Sequence, residues 1–376
     1  MARTLFDKLW QSHVIVEREA DALLFVDRHF VHEGSFHAFE KVAARGATVA
    51  RPDLTFGVAD HYVPTDRTAL VAPEIRRMVD DLTDNCGRHG VRLFGLDDPR
   101  QGIVHVVGPQ EGIALPGLLI VCGDSHTATQ GALGAYAFGI GATEVSHVLA
   151  TQTLWQAKPK TMRITVDGQL PAGVSAKDMI LSIIAAIGAD GAAGHAVEYA
   201  GSAVRGLSME GRFTLCNMTI EAGGRCGMVA PDETTLAYVK GRAFAPADFG
   251  TAAEAWLSLP TDPGARFDTE VSLAAEDIAP SVTWGTSPED SLPVTGRVPA
   301  PGDHPRREGH IREALDYMAL SPGTRLEGLG VDRVFIGSCT NGRIEDLREV
   351  AKVMEGRRVK DGIRAMIVPG SGLVRM

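Results

Sequence analysis

The amino-acid sequence predicts an α/β protein, and three stretches carry that prediction. Residues 334–336 form a short apolar run typical of a buried parallel strand, and an amphipathic helix over 343–354 and a second strand over 363–368 follow it. Residues 118–121 form another apolar run, which ends in a cysteine, a glycine and polar side chains. A capping box of Ser175 and Asp178 starts a helix whose isoleucines share one face until Gly188 ends it. Strands that alternate with helices favour parallel sheets covered by helices.

Caps, apolar runs and turn residues predict the other elements of the first half in chain order. Thr4 is placed to cap a first helix that carries Leu5 and Leu9 on one face. Further strands are predicted over residues 23–26, 55–59, 102–107 and 161–166, and a further helix over 143–155. Residues 214–225 form a short apolar segment that a glycine pair interrupts.

Six prolines between residues 280 and 305 divide the chain into two parts. This segment has no helix or strand periodicity, so we predict a linker over residues 280–308. We expect an α/β body over 1–279, which carries the acidic and imidazole motifs, and a smaller α/β piece over 309–376. The smaller piece stops directly after a predicted buried strand. We expect it to be incomplete, because a further helix would be needed to cover its sheet.

Length, charge and cysteine content limit the possible classes of function. A chain of 376 residues, 44% apolar and 22% charged, is typical of a soluble globular protein with two or three domains. The net charge is −10 without a basic block, so nucleic acids and anionic membranes are poor partners. No stretch is typical of a signal peptide or of a membrane span, so we expect a cytoplasmic protein. Five scattered cysteines without a C-x-x-C pair argue against a disulfide framework.

Acidic, amide and imidazole side chains recur where predicted strands and short apolar segments end. They are Asp60 with His61, His105, Asp124 with Ser125 and His126, and Asn217 with Glu221. Any one of these groups alone is as well explained by a hydrogen-bonded structural residue. Together they predict one cleft, because ionisable groups that are buried need partners. A carboxylate beside a histidine fixes the histidine tautomer and raises its basicity, as general acid–base catalysis requires.

Cys339 follows the strand predicted over 334–336 and lies on the loop before the next helix. Ligands bind at this end of the strands in open α/β sheets. The helix start favours a thiolate, which is both a nucleophile and a metal ligand. A buried and inert cysteine is the alternative for this stretch taken alone.

Two other catalytic patterns do not fit the spacing of the residues. His32-Glu33 and His37 form H-E-x-x-x-H and not the H-E-x-x-H of zinc proteases, so on a helix the two histidines would point apart. Residues 124–126 supply an aspartate, a serine and a histidine, but adjacent residues of an extended chain point to opposite sides. The same segment lacks the second glycine of a G-x-S-x-G elbow, which argues against a serine hydrolase.

Four ordered motifs resemble those of the aconitase superfamily. They are GIVH at 102–105, CGDSHT at 122–127, LCNM at 215–218 with Glu221, and GSCTN at 337–341. The resemblance covers essentially the whole chain and is greatest to the large subunits of 3-isopropylmalate dehydratases. It implies three-layer α/β/α subdomains around a central cleft. It also implies a hydro-lyase that moves a hydroxyl between neighbouring carbons of 2-isopropylmalate, through an alkene, in leucine biosynthesis.

The resemblance further implies roles for individual residues. Members of the family hold a 4Fe–4S cluster with three cysteines and leave one iron open as a Lewis acid. Cys339 matches the first of these cysteines. The residues that match catalytic positions are Asp60, His61, His105, Asp124, Ser125, His126 and Glu221. Asn217, Thr340 and Asn341 match residues that line the substrate and the cluster.

The sequence departs from the family pattern in its cysteines and near the substrate. The other two cluster cysteines of the family form a C-x-x-C after a segment like 368–372, and none is present before Met376. We therefore expect this chain alone to be inactive and to hold no stable cluster. The swivelling domain of the family is expected on a separate small subunit. Segment 34–37 is shorter than usual and Tyr62 replaces the usual asparagine, so a citramalate or 2-methylmalate type of hydroxy diacid is an alternative substrate. A cluster-less binding or regulatory protein is the alternative outside catalysis.

Overall fold

The computed structural model describes residues 2–64 and 72–376. Its strands in these ranges are β1 (Val14–Arg18), β2 (Asp21–Phe25), β3 (Arg28–Val31), β4 (Thr55–Val58), β5 (Arg92–Phe94), β6 (Leu119–Cys122), β7 (Tyr136–Gly139), β8 (Thr153–Ala157), β9 (Lys160–Asp167), β10 (His195–Ala200), β11 (Cys226–Val229), β12 (Thr269–Ala274), β13 (Ser281–Thr283), β14 (Ser291–Pro293), β15 (Arg333–Ile336) and β16 (Arg364–Ile367).

The α-helices of the same ranges are α1 (Leu5–His13), α2 (Phe36–Ala44), α3 (Pro73–His89), α4 (Val104–Glu111), α5 (Ala142–Thr151), α6 (Ala176–Ile187), α7 (Ser202–Arg205), α8 (Met209–Asn217), α9 (Glu233–Val239), α10 (Phe249–Leu257), α11 (Glu308–Met318), α12 (Ile344–Met354) and α13 (Gly372–Arg375). Short 3₁₀ helices lie at Glu33–Ser35, Ser125–Leu133, Met218–Ala222, Ala275–Asp277, Pro301–Asp303 and Pro305–Arg307. Over the described residues, no helix is both long and apolar enough to cross a bilayer.

Two parallel sheets form the body of the protein. The first has five strands in the order β5-β4-β3-β6-β7, and the second has four in the order β11-β10-β9-β12. One apolar core contains side chains of both sheets and of helices such as α6 and α8. A second core packs α1, α2 and α5 against the first sheet and the antiparallel sheet β1-β2-β8. The predicted α/β class, with parallel sheets flanked by helices, is confirmed.

The predicted helix caps are present. Thr4 accepts the backbone N–H of Asp7 at 3.0 Å at the start of α1. At the start of α6, the carboxylate of Asp178 accepts the N–H of Ser175 at 2.7 Å, and Gly188 ends the helix. These ends were predictable because they depend on local side-chain hydrogen bonds.

Two predicted elements of the body are wrong in type or length. The strand predicted over 102–107 is instead helix α4, whose first N–H, that of Val104, is capped by Asp60 at 3.0 Å. The helix is buried on all sides, so its run of β-branched residues shows no helical stripe. The helix predicted over 143–155 ends at Thr151, because Gln152 adopts a left-handed conformation and residues 153–157 pair with β2.

The segment 280–308 is more ordered than the linker prediction implied. Strands β13 and β14 form an antiparallel hairpin. Trp284 and Val298 pack with α11 in a small third core, and the carboxylate of Asp290 is buried there with Arg307 and His310. The prediction of irregular structure is wrong for 281–293, while the division into domains stays a prediction.

The last part of the chain has the predicted parallel pair, β15 with β16, followed and preceded by the predicted polar loops. Its burial differs from the prediction, since Phe335 is 56% exposed and Ile367 is 49% exposed. In the part of the chain that the structure describes, helix α12 lies between these two strands in sequence and the short helix α13 follows β16.

Candidate active site

Three neighbouring strands of the five-stranded sheet end at one crevice. The central strand, β3, is followed by His32 and Glu33. Strand β4 on one side leads to Asp60 and His61, and strand β6 on the other leads to Asp124. The carboxyl ends of parallel strands share one edge of the sheet, and this is where open α/β folds bind ligands.

Asp124 is the hub of the crevice. Its Oδ2 atom lies 2.8 Å from His105 Nε2 and 3.2 Å from His61 Nε2. Its Oδ1 atom accepts the backbone N–H of His126 at 2.9 Å and lies 3.6 Å from His126 Nδ1. One carboxylate therefore faces three imidazoles, which come from three separate segments of the sequence. The structure brings together all the acidic and imidazole residues that the first half of the sequence predicted.

These contacts shift the proton affinities of the crevice. Burial works against ionisation of Asp124, but hydrogen bonds from His105, His126 and His61 outweigh it and lower the pKa of this carboxyl. The hydrogen bond to Asp124 raises the pKa of His61, with Asp60 3.4 Å from its other ring nitrogen. Hydrogen bonds to Asp124 and then Glu221 raise the pKa of His126 to about 10. The ring of His126 therefore carries a proton at neutral pH, and the proton affinity of His61 is shifted in the same direction.

The second sheet contributes the opposite wall through α8 and the 3₁₀ helix after it. Glu221 Oε1 lies 3.2 Å from His126 Nε2. The Asn217 amide is buried, donates to Thr129 at 2.8 Å and accepts the hydroxyl of Thr340 at 2.7 Å. Asn217 therefore joins the floor of the crevice to the loop that carries Cys339.

The loop 337–342 holds Cys339 at the crevice. Ser338 has a φ of 94°, a left-handed conformation that a residue with a side chain rarely adopts, and such strain is concentrated at functional sites. Asn341 donates its side-chain N–H groups to Thr214 at 3.2 Å and to Asp346 at 3.0 Å. Cys339 itself is partly exposed, whereas the other four cysteines are buried.

Glycine contacts attach this loop to α4. The Gly370 N–H donates to Gly342 O at 2.7 Å, and the Ile103 N–H donates to Gly370 O at 2.8 Å. A Cβ on Gly102 would lie 2.5 Å from Gly370 O. Glycine is required at this close approach, and it brings the segment before His105 against the segment around Cys339.

Ser125 lies beside these groups without a hydrogen bond to them. It is exposed in the first turn of the 3₁₀ helix after β6. With Gly123, Ile140, Ile220 and Arg225 it lines a cavity of about 360 Å³. Ser125 is therefore placed to contact a ligand that enters the crevice from this side.

A model of the Aconitase family (aconitate hydratase) matches residues 7–376, which is nearly the entire chain. The chain belongs to the aconitase family. Family membership implies a hydro-lyase type of activity, and members of the aconitase family generally bind a 4Fe–4S cluster.

The cysteines of the chain fit such a cluster only in part. Burial raises the pKa of Cys86 and Cys226 to about 12, and the thiols of Cys122 and Cys216 are likewise buried with raised pKa values. Cys339 alone among the five is accessible, and it is the cysteine that matches a cluster ligand of the family pattern. The 376 residues therefore supply one of the three thiolates that the family pattern requires.

Two groups of three side chains have ligand atoms close enough for a metal ion, namely His32 with Glu33 and His61, and Asp60 with His61 and Asp124. Hydrogen bonds already use these atoms. His32 Nδ1 accepts the Gly34 N–H at 3.1 Å, so the hydrogen of this ring is on Nε2 and no lone pair is free. Both ring nitrogens of His61 lie beside carboxylates, 3.4 Å from Asp60 Oδ2 and 3.2 Å from Asp124 Oδ2.

Sequence reasoning missed three residues that face or support the site. Glu33 is fully buried and contacts the Asp60–His61 segment. The buried guanidinium of Arg343 donates to Thr340 O at 2.9 Å and to His105 O at 3.4 Å. Lys177 has a pKa lowered by burial, and the nearby charges include those of Glu221 and Cys339. The position of Glu33 directly after a strand was an available signal, whereas Arg343 and Lys177 had none.

Proposed function

We propose that the chain is the acid–base part of a hydro-lyase that removes and re-adds water on a small 2-hydroxy dicarboxylic acid. Within this class we propose the role of the large subunit of a 3-isopropylmalate dehydratase, with 2-isopropylmalate as substrate and a small subunit as partner. The observation that carries the proposal is the contact of Asp124 with His61, His105 and His126 at the strand ends. The family match supports the reaction class.

His126 and His61 have the chemistry that dehydration needs. A departing hydroxyl requires a proton; His126 holds one at neutral pH, and the contact with Asp124 raises the pKa of both rings. The same rings can take the proton back when water adds to the neighbouring carbon. The positive charge of His126 also suits the carboxylates of a diacid. The base that removes the carbon-bound proton is expected on the small subunit.

The test is a comparison of substrates and variants in the assembled enzyme. A segment that carries the C-x-x-C thiolates of the family pattern is fused after Met376, and the fusion is co-expressed with a small subunit. Iron and sulfide are supplied, and formation of the alkene is followed by ultraviolet absorption. We expect turnover of 2-isopropylmalate, with a loss of at least about 100-fold in His126→Asn. His304→Asn is the matched control, because His304 is exposed and distant from the crevice. If citramalate were turned over faster, it would be assigned as the substrate in place of 2-isopropylmalate. Equal activity of the two variants would contradict the role of His126.

A second candidate is a cluster-less binding or regulatory protein. The single accessible cysteine favours it, because one thiolate cannot hold a 4Fe–4S cluster of this family. In that case the chain would bind a small subunit or a hydroxy diacid without turnover, even after reconstitution. Turnover by the fusion with the C-x-x-C segment and a small subunit distinguishes the two candidates: the first predicts alkene formation, and the second predicts binding without turnover.

A further inference from the structure

A fully buried carboxylate lies next to the Asp60–His61 pair and contacts its backbone. Glu33 Oε1 accepts the N–H of Asp60 at 2.8 Å, and Glu33 Oε2 accepts the N–H of His61 at 3.2 Å. Glu33 has no solvent exposure. Two oxygens of one side chain thus hold two consecutive peptide groups. This contact fixes the directions in which the Asp60 and His61 side chains leave the backbone.

The residue before it supports the ring of His61. The imidazoles of His32 and His61 stack with centroids 4.1 Å apart and an angle of 21° between their planes. His32 Nδ1 accepts the Gly34 N–H at 3.1 Å, and its Nε2 faces Gly123 O at 3.4 Å. Burial lowers the pKa of His32 to about 4, so this ring is neutral at pH 7 and does not repel a cationic His61.

We propose that Glu33 is a positioning residue for the Asp60–His61 pair, with His32 holding the face of the His61 ring. The location of Glu33 explains why this residue can do so. It follows the central strand β3, so it lies between the chain segments that follow β4 and β6. The catalytic consequence rests on the function proposed above, whereas the effect on His61 can be measured without turnover.

The charge of Glu33 acts on His61 together with two other carboxylates. The groups that face His61 are Asp124, Asp60, Glu33 and the neutral ring of His32. Burial raises the pKa of Glu33 itself, although the two N–H groups that it accepts favour its ionised form. Removal of the Glu33 charge therefore reduces the proton affinity of His61. A side chain that cannot reach the backbone leaves the N–H groups of Asp60 and His61 without their acceptor.

The first test is Glu33→Gln in the full chain. Glutamine has the same shape, but its amide presents one oxygen and one NH₂ group to two N–H donors, so one of them loses its acceptor. We expect the pKa of His61, followed by NMR titration and assigned with His61→Asn, to fall by about half a unit or more, a roughly threefold change in proton affinity. Glu40→Gln is the matched control, because Glu40 is exposed on the adjacent helix α2. An unchanged pKa of His61 in a folded Glu33→Gln protein would overturn the proposal.

The second test is hydrogen exchange in Glu33→Asp, which keeps the charge and shortens the side chain by one methylene. We expect the amides of Asp60 and His61 to lose protection about tenfold or more, while the pKa of His61 stays raised. This variant decides the question if Glu33→Gln does not fold, since unchanged protection of both amides would also refute the proposal. In the assembled enzyme both variants are expected to lower kcat with little change in KM. Loss of all activity in the unmodified complex would count against the proposed function and leave these NMR results intact.

Discussion

Replacement of Asp124 by asparagine tests the central electrostatic feature of the crevice. Asparagine keeps the shape of the side chain and removes the negative charge that His61, His105 and His126 share. The hydrogen bond to Asp124 is the largest contribution that raises the pKa of His126 from 6.5 to about 10, and Glu221 is the next. The variant therefore loses the larger of two contributions while Glu221 still contacts the ring at 3.2 Å.

The size of the effect follows from this shift. His126 is 28% exposed in its side chain, so solvent screens part of the interaction and only a fraction of the full shift is expected to be lost. We expect the pKa of His126 to fall by at least about one unit, which is tenfold in proton affinity and about 1.4 kcal/mol. His61 is expected to shift in the same direction, because Asp124 is also the main cause of its raised pKa.

The same shift gives stability a definite dependence on pH. A histidine whose pKa is higher in the folded protein contributes stability that is complete below the unfolded value, about 6.5. That contribution is lost as the pH rises through the folded value, about 10 for His126. The unmodified chain should therefore lose more unfolding free energy between pH 6.5 and 10 than Asp124→Asn does.

Histidine NMR titrations and urea unfolding at pH 6.5, 8 and 10 measure both effects. Asp53→Asn is the matched control, since Asp53 is exposed and pairs with Arg51 on the surface. A pKa of His126 within about 0.3 unit of the unmodified value in Asp124→Asn would refute the assignment of Asp124 as the hub. Equal pH dependence of the two unfolding free energies would refute the stability argument.

Three further substitutions test the core, the glycine contact and the cysteine loop. His29 is fully buried, neither ring nitrogen has a partner among the described residues, and burial lowers its pKa to about 3. The contribution of the neutral His29 ring to stability is present above pH 6.5 and is lost as the pH falls through about 3. In urea unfolding, His29→Leu should therefore reduce the loss of unfolding free energy at acidic pH by up to about 5 kcal/mol. An unchanged loss at acidic pH would contradict this. Gly102→Ala should lower the free energy of unfolding by about 1–3 kcal/mol, because its Cβ would meet Gly370 O. Gly302→Ala should lower it little, because no described atom lies within 4 Å of that Cβ. Equal losses in thermal unfolding would contradict the role of the close contact. Thr340→Val leaves Asn217 Oδ1 without its donor and so loosens the loop that carries Cys339. Alkylation of the Cys339 thiol, followed by mass spectrometry, should become several-fold faster. An unchanged rate would show that this hydrogen bond does not hold the loop.

Site residues were predictable from the sequence where a short segment places reactive side chains directly after an apolar run. The Asp60-His61 pair, the 124–126 segment and Cys339 each follow an apolar run, and the structure places them at strand ends as expected. The pairing between them was not predictable. Sequence order suggests that Asp124 serves the nearby His126, but the imidazole nearest to its carboxylate is that of His105, which comes from another segment.

The same limit explains the errors in the fold. Helix α4 was read as a strand because it is buried on every side, so hydrophobic periodicity carries no information there. Residues 281–293 were read as irregular because strands of three residues are too short to show alternation. Arg343 gave no signal, since a buried arginine and an exposed one look alike until the residues around them are known.

The sequence by itself determined the α/β class, the capped helices and the residue types of the crevice, because these depend on local hydrogen bonds and on the spacing of apolar residues. Only the tertiary structure decided which carboxylate faces which imidazole, and that Glu33 holds the backbone of Asp60 and His61. The reason is that the contacts between segments join residues 19 to 95 positions apart. Proton affinities in the crevice follow from such distances and from burial, and neither quantity is encoded in a local pattern.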